Sequence, residues 1–441
     1  MDAIDHTLDL DLDWMKEVLL ELLRIPSPAG RTDVVMQRVG ERLEEIGLPF
    51  ELTRRGAMIA SLPGNGDGEL NRAVVVHTDT IGCMVRELKP NGRLSIVPIG
   101  SHSARFSEGT RVMIFSDDIE HSYTGTVLPT KASGHAYGDA IDTHPIGWDH
   151  VEVRLDEKAH DAQDLADLGL AVGDFVAQVA YPIITRAGFV NSRHLDDKAG
   201  VAAVLTAFKA LVDSGTQLEV GVRLLITISE EVGHGASSGI SHDIAELLSI
   251  DAAVVAEGQT TTETGVTVAM QDLHGPFDYH LTRRLCALAE ANGIEVNRDV
   301  FRYYRSDVAA ALEAGAETRA ALLGFGVDAT HGHERTHLDS MVATARLLAL
   351  YLQTPLTFRS WDAEPTGPLS SFPSSAVQPV RREPEFDPED DDLVLHDPFP
   401  ELDEEDGAWY GSARHPGDDR STDDEATDDE ATDHGSNDDE A

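Results

Sequence analysis

The chain has 441 residues, more than one average domain needs, and a hydrophobic content of 41% is ample for a real core. Its net charge of −45 excludes nucleic acid and anionic membrane as default partners, because both would repel it. Two cysteines, Cys83 and Cys286, are too few for a disulfide framework or a thiolate metal cluster.

The acid is spread along the whole chain. Residues 361–441 carry 27 acidic and four basic residues, and the remainder is also net negative. Only six of the 34 basic residues are lysine. A lysine-poor, acidic surface suits a salt-rich cytoplasm, where screening over about 3 Å at molar ionic strength removes self-repulsion, so a halophile's protein is expected. The opening MDAIDHTLDLDLDW lacks the basic and apolar regions of a signal peptide, and no apolar stretch approaches the roughly 20 residues that span a bilayer. A soluble cytoplasmic protein is expected.

In chain order, WMKEVLLELLR sets Leu19, Leu20, Leu22 and Leu23 on one helical face before IPSPAG stops the helix, and VVMQRVGERLEEIG forms a second amphipathic helix ending at Gly47. The first central strand runs to His77. Between about Glu87 and Arg186 short β-type runs such as RLSIVPI, RVMIF, YTGTVL and DFVAQVAY alternate with turn residues, which predicts a small β-rich insert. From Gly188 on, helix and strand patterns alternate again through AGVAAVLTAFKALVDSG, RLLITI, DIAELLSI, AAVVAE, LTRRLCALAEANG, VAAALEAG, AALLGFG and SMVATARLLALYLQ. That alternation predicts an α/β, doubly wound, mostly parallel sheet with helices on both faces. The predicted division is a discontinuous α/β domain over 1–86 and 187–357, an inserted β-rich domain over 87–186, and an acidic tail over 358–441. The tail has too few apolar residues to offset the entropy of ordering and is expected to be disordered.

Three apolar runs end in metal-type ligands: AVVVH at His77, RLLITISEE at Glu230 and Glu231, and AAVVAE at Glu257. The carboxyl ends of buried parallel strands line the crevice where ligands bind, so this is the layout of an active site. One such residue could merely mark a strand emerging into solvent. Three of them, with Asp196 and Asp197 of LDDKAG and His331, His333 and His337 of HGHERTH, supply the oxygens and nitrogens that zinc, cobalt or manganese prefer.

The segments VVVHTDTIGCMV, RHLDDKAGVAAV, ITISEEVGHGA, VVAEG and ERTHLDS, in that order and with a β-rich insert between the first two, resemble the co-catalytic two-metal aminopeptidases. That family includes glutamyl and deblocking aminopeptidases and the tetrahedral self-compartmentalising peptidases, and the resemblance covers about Leu19 to Leu352. It implies two divalent ions per chain, zinc foremost and cobalt or manganese next, bridged by Asp196. His77 and Glu257 would complete one site, Glu231 and His337 the other, with Glu230 as general base and Asp79 orienting the His77 imidazole. Such a pair of ions activates water, and the unliganded carboxylate moves its proton to the leaving amine. The resemblance also implies that 1–86 and 187–357 form the catalytic domain and 87–186 a dimerisation or lid domain, with short peptides as substrates, hydrolysed at the N-terminal bond, a homo-oligomer from dimer to dodecamer, and a cis peptide between Asp196 and Asp197.

The chain departs from the family in two places. Glu257 stands where many members have aspartate, and ERTH replaces a more usual aromatic-containing stretch. The ERTH form resembles a branch associated with small acylated peptide osmolytes, which keeps a two-metal amidohydrolase acting on acylated amino acids as the alternative. A further alternative is a zincin, because His333, Glu334 and His337 form a literal H-E-x-x-H, although Gly332 and the late start of the helical period give it a loop setting. A glycosidase using Glu230 and Glu231 would need no histidine ligands, and a metal-free scaffold would leave a complete ligand set unexplained.

Overall fold

The computed structural model describes residues 8–66 and 70–357. The predicted acidic tail therefore lies outside the described residues. The centre of the main sheet is four parallel strands, in the order Val222–Thr227, Asn71–His77, Ile244–Val255 and Arg319–Asp328. Antiparallel strands extend it: Met58–Leu62 and Phe50–Leu52 on one side, Glu334–His337, Phe189–Ser192 and Ile183–Ile184 on the other. The sheet is thus mixed, parallel at its centre and mostly antiparallel at its flanks, where Val266–Asp272 and Val296–Val300 form a further parallel pair. The sequence pattern concealed this because the flanking strands are too short to show a period.

The continuous apolar runs of the central strands fill two cores at once, because successive side chains point to opposite faces. Val74, Val76, Leu224, Ile226, Leu248, Ile250, Leu323 and Phe325 face one core, built with helices Leu12–Leu23, Asp33–Glu45, Leu195–Ser214, Tyr279–Ala291 and Leu338–Leu352. Ala73, Val75, Leu225, Leu247 and Ala320 face the other, where Val308 and Ala311 of the short helix Asp307–Glu313 pack. Helix Leu195–Ser214 is buried nearly all round, as its apolar sequence on every face requires. DIAELLSI and AAVVAE, two segments in the sequence pattern, form one strand of 12 residues.

The insert is a closed six-stranded barrel in the order Gly82–Leu88, Leu94–Ile99, Val151–Leu155, Ser122–Pro129, Arg111–Phe115 and Phe175–Gln178. Its own core gathers Val85, Leu94, Ile96, Val112, Ile114, Val127, Val153 and Val176. No helix among the described residues is long and apolar enough to cross a membrane.

At the amino edge of the parallel strands Arg72 and Glu246 form an ion pair with both side chains fully buried. Arg72 also donates to the carbonyls of Tyr351 (2.6 Å) and Pro355 (3.1 Å) and lies over the Tyr351 ring. Glu246 accepts from the Tyr351 hydroxyl and from the Thr357 amide, each at 2.6 Å. The network fastens the end of the last helix to the sheet. Arg72→Met strands the Glu246 charge and should cost about 3–5 kcal/mol in denaturant unfolding, whereas Arg72→Met combined with Glu246→Leu should cost less than the single change. A single-variant loss under about 1 kcal/mol would show that the pair holds nothing together.

Candidate active site

Each functional side chain reaches the carboxyl edge of the sheet by a different local device. His77 ends its strand, and Asp251 lies inside the neighbouring one. Ser249 pairs with Val75, and two residues further along each strand Asp251 comes level with His77. Glu230 and Glu231 sit just past Thr227 in a tight turn, closed by the Gly233 amide donating to the Glu230 carbonyl at 2.6 Å. Asp79 holds that turn, its carboxylate accepting from the amides of Glu230 (3.1 Å) and Glu231 (3.2 Å).

Asp196 and Asp197 open the buried helix, and the peptide between them is cis. Gly200, one turn on, leaves room for the Asp197 carboxylate, which a Cβ there would meet at 2.0 Å. The Asp197 carboxylate in turn accepts from the His77 amide at 3.3 Å. His331 lies in the loop between Arg319–Asp328 and Glu334–His337 with a φ of 60°. Its Nδ1 is 2.8 Å from the carbonyl of Ser101, just past a barrel strand, so the insert helps to aim this imidazole.

These side chains form two groups that could each hold a metal ion and that share Asp196. In the first, His77 Nε2 is 3.2 Å from Asp196 Oδ1 and 3.7 Å from Asp251 Oδ1. In the second, His331 Nε2 is 3.5 Å from Asp196 Oδ2 and 3.3 Å from Glu231 Oε2. Metal–ligand bonds of 2.0–2.2 Å in a tetrahedron give ligand–ligand edges of about 3.3–3.6 Å, and the four separations sit close to that range. His77 Nε2 is buried with no hydrogen-bond partner, although three carboxylates face it.

The electrostatics are those of a site short of positive charge. Burial pushes the carboxyls of Glu230, Glu231 and Asp251 above their ordinary range, and neighbouring carboxylates add to it. Burial would depress both imidazoles. Instead Asp196 and Asp251 hold His77 well above its ordinary value, and Glu231 with Asp196 pushes His331 up to about 12. Asp196, opposed by burial, is held well below the carboxylate range by His331 and His77. A pair of divalent cations is the kind of charge this arrangement fits.

Of the sequence-predicted residues, His77, Asp196 and Glu231 stand in these groups, with Glu230 3.9 Å from His77 Nε2. Asp79 contributes its main-chain carbonyl, 3.0 Å from His77 Nδ1, while its carboxylate anchors the Glu230–Glu231 turn. Glu257 and His337 are in neither group. Glu257 falls past the end of its strand and is exposed on the rim of the cavity, six residues beyond Asp251. His337 caps the last helix, its Nδ1 accepting from the Asp339 amide at 3.1 Å and its Nε2 lying 2.6 Å from the Ala187 carbonyl. The antiparallel return of Glu334–His337 carries His337 away from the strand ends and leaves His331 at the tip of the loop. The positions that take their places in the geometry are Asp251 and His331.

The H-E-x-x-H match lies on a strand rather than a helix. Four residues of strand separate His333 from His337 by about 13 Å, and His333 is exposed, so the two cannot share an ion. Its glutamate has another place. Glu334, fully buried, accepts from the His331 amide at 2.9 Å through one oxygen, and from the Leu195 (2.7 Å) and Asp196 (3.2 Å) amides through the other. It ties the start of the buried helix, with Asp196, to the loop that carries His331. Burial and the charge of Asp196 push its carboxyl up to about 8.

Asp196, Glu230, Glu231, Asp251 and His331 line a cavity of about 630 Å³, walled also by Val254, Phe301, Tyr304 and Thr330. A cavity of this size admits a small organic substrate, with carboxylates at its base to accept protons and an imidazole at each ligand group.

The chain is similar in sequence and fold to known peptidases. The family model described as M42 glutamyl aminopeptidase matches residues 56–347. YhfE of Bacillus subtilis (strain 168) is 38% identical over 340 residues, covering 77% of this chain and 97% of that protein. The lysyl aminopeptidase of Pyrococcus furiosus is 24% identical over 226 residues, covering 50% of this chain and 60% of that one. Among solved structures, the Pyrococcus horikoshii TET1 peptidase, described as assembling into a tetrahedron or a large octahedral shell, superposes with a TM-score of 0.69 at 22% identity, over 77% of this chain and 100% of that one. The chain belongs to the M42 glutamyl aminopeptidase family and is a peptidase.

Proposed function

We propose that the protein is a metal-dependent aminopeptidase that hydrolyses the N-terminal bond of short peptides with two divalent ions, held by His77, Asp196 and Asp251 and by Asp196, Glu231 and His331. The observation that carries this reading is the sharing of Asp196 between two complete three-residue groups. Zinc is the ion that the mixed nitrogen and oxygen donors favour, with cobalt or manganese next. When bound, the ions would supply Lewis acidity and an acidified water.

The chain's own residues account for the remaining steps. Glu230 belongs to neither group, faces the site, and has a raised proton affinity suited to taking a proton from water and passing it to the leaving amine nitrogen. Asp79 fixes Glu230 and Glu231 relative to His77 through three hydrogen bonds, so base and ligands share one anchor. Glu334 sets the spacing between Asp196 and His331. The cavity wall shields these groups from bulk water, which strengthens every charge interaction inside.

The preferred N-terminal residue is a matter of the cavity rim, where Glu257, Arg302 and Arg305 stand. Family names alone span glutamyl and lysyl specificities. An amidohydrolase acting on acylated amino acids would use the same ligands, and ERTH is the feature that favours it. As in the TET1 peptidase, we expect a homo-oligomer, and the acidic, lysine-poor composition favours assay in high salt in a cytoplasmic setting.

Protein purified in high salt should carry about two metal ions per chain, falling below one in Asp196→Ala; an unchanged metal content in that variant would overturn the shared-ligand reading. Glu230→Gln should keep both ions and lose about 10²–10⁴-fold in kcat. Glu334→Gln places an amide N–H₂ against backbone donors, and the affinity of the His331 group should fall about 10–100-fold, leaving roughly one ion per chain after dialysis against a chelator. Free-amine peptides should be cleaved faster than N-acylated amino acids, and the reverse order in a substrate panel would favour the amidohydrolase.

A further inference from the structure

Tyr304 carries the one phenol on the wall of the cavity whose oxygen is fully buried and has no hydrogen-bond partner among the described residues. Such a group is costly to leave unpaired and calls for a role. Its ring is fixed. It packs with Phe301, Ala253, Ala269 and Leu322, with the Phe301 ring edge-on at 5.3 Å. Its main chain is fixed too, the carbonyl accepting from the Leu273 amide at 2.9 Å. Tyr304 shares the cavity wall with Asp196, Glu230 and Asp251, and Asp251 is the carboxylate near enough to compete for its proton.

The arginines of the same wall are otherwise engaged. Arg305 pairs with Glu313 at 3.0 Å, and Arg302 is exposed, lying over the Tyr303 ring. The base of the cavity holds carboxylates, which in ionised form accept hydrogen bonds and cannot donate them, and His331, whose ring nitrogens are turned to Ser101, Asp196 and Glu231. Amide hydrolysis places new negative charge on the carbonyl oxygen, and a donor fixed in advance at that point stabilises the transition state more than the bound substrate.

We propose that Tyr304 is a further catalytic residue, its O–H donating a hydrogen bond to the carbonyl oxygen of the scissile amide as that oxygen becomes the oxyanion. This rests on the amide-hydrolysing reading of the site. The oxygen of water forms a bond to the carbonyl carbon, its proton passes to Glu230, and the π pair of the carbonyl moves onto oxygen. When the C–N bond breaks, the pair returns to re-form the carbonyl and the proton on Glu230 goes to the amine nitrogen. The Tyr304 proton stays on its own oxygen throughout.

Tyr304→Phe removes only the hydroxyl and keeps the ring in its packing. Three measurements decide the matter: metal content per chain, the kinetics (kcat and KM) on a dipeptide, and calorimetric affinity for a phosphinic dipeptide analogue whose tetrahedral anion mimics the oxyanion. The expected result is unchanged metal content, kcat lower by about 10²–10³-fold with KM within a few-fold, and analogue affinity weakened by a similar factor. A kcat within about threefold of the parent, or a raised KM with kcat unchanged, would overturn the proposal. So would loss of an ion, which would assign the hydroxyl to supporting Asp251. If the parent cleaves no amide, the reading of the site fails on its own evidence. The analogue titration then still judges Tyr304, since equal binding by parent and variant, or by neither, rejects it.

Discussion

The arrangement of the site depends on the placement of one carboxylate. Asp196 belongs to both ligand groups, presenting Oδ1 to His77 and Oδ2 to His331. A group that serves two neighbours through its two oxygens cannot rotate to suit either one. Its position has to be fixed by the fold. The fold does so with a helix buried on nearly every side, with the Glu334 carboxylate gripping the Asp196 amide, and with the next residue, Asp197, bound to the His77 main chain. Helix, strand and returning loop are each tied to the others within a few residues of Asp196.

That constraint explains why the ligands come from so many elements. His77 and Asp251 stand on adjacent parallel strands, Glu231 on a turn, and His331 on a loop whose aim is set partly by the insert through Ser101. Parallel strands bring their carboxyl ends together only after crossovers through helices, so groups distant in sequence converge at one edge. Precision then comes from backbone anchors rather than from the ligands. Asp79 and Glu334 play equivalent parts on the two sides, each a buried carboxylate accepting from backbone amides of the segments it joins.

The parts legible in the sequence are those in which a functional residue ends an apolar run. His77 and the Glu230–Glu231 pair have that signature, and LDDKAG opens a helix whose sequence is apolar on every face. Asp251 has the opposite signature. It interrupts an apolar run, so the run divides into two segments in the pattern, and Glu257 takes the terminal position that strand ends seem to assign. Only the register against His77, a property of pairing and not of composition, places Asp251 level with the site. His331 and His337 are six residues apart in a segment holding three histidines, and the choice between them turns on where the chain reverses. The signal that could have served is Gly332 beside His331, a turn residue marking the tip. Glu334 stood in a motif that pointed to a helix, and Tyr304 lies in a loop with no pattern at all.

The two edges of the same four strands treat charge in opposite ways. At the amino edge Arg72 and Glu246 bury opposite charges against each other and share hydrogen bonds with the end of the last helix. At the carboxyl edge Asp196, Glu230, Glu231 and Asp251 are crowded with two imidazoles, and the groups compete for protons. Buried like charges oppose folding unless something neutralises them. The apolar strands between the two edges supply the stability that allows the acidic edge to persist. A cation bound there relieves the repulsion directly, so metal affinity and folding free energy are linked at this edge and not at the other. The segregation lets one sheet be self-sufficient where it needs only to hold together, and electrostatically incomplete where it has to bind.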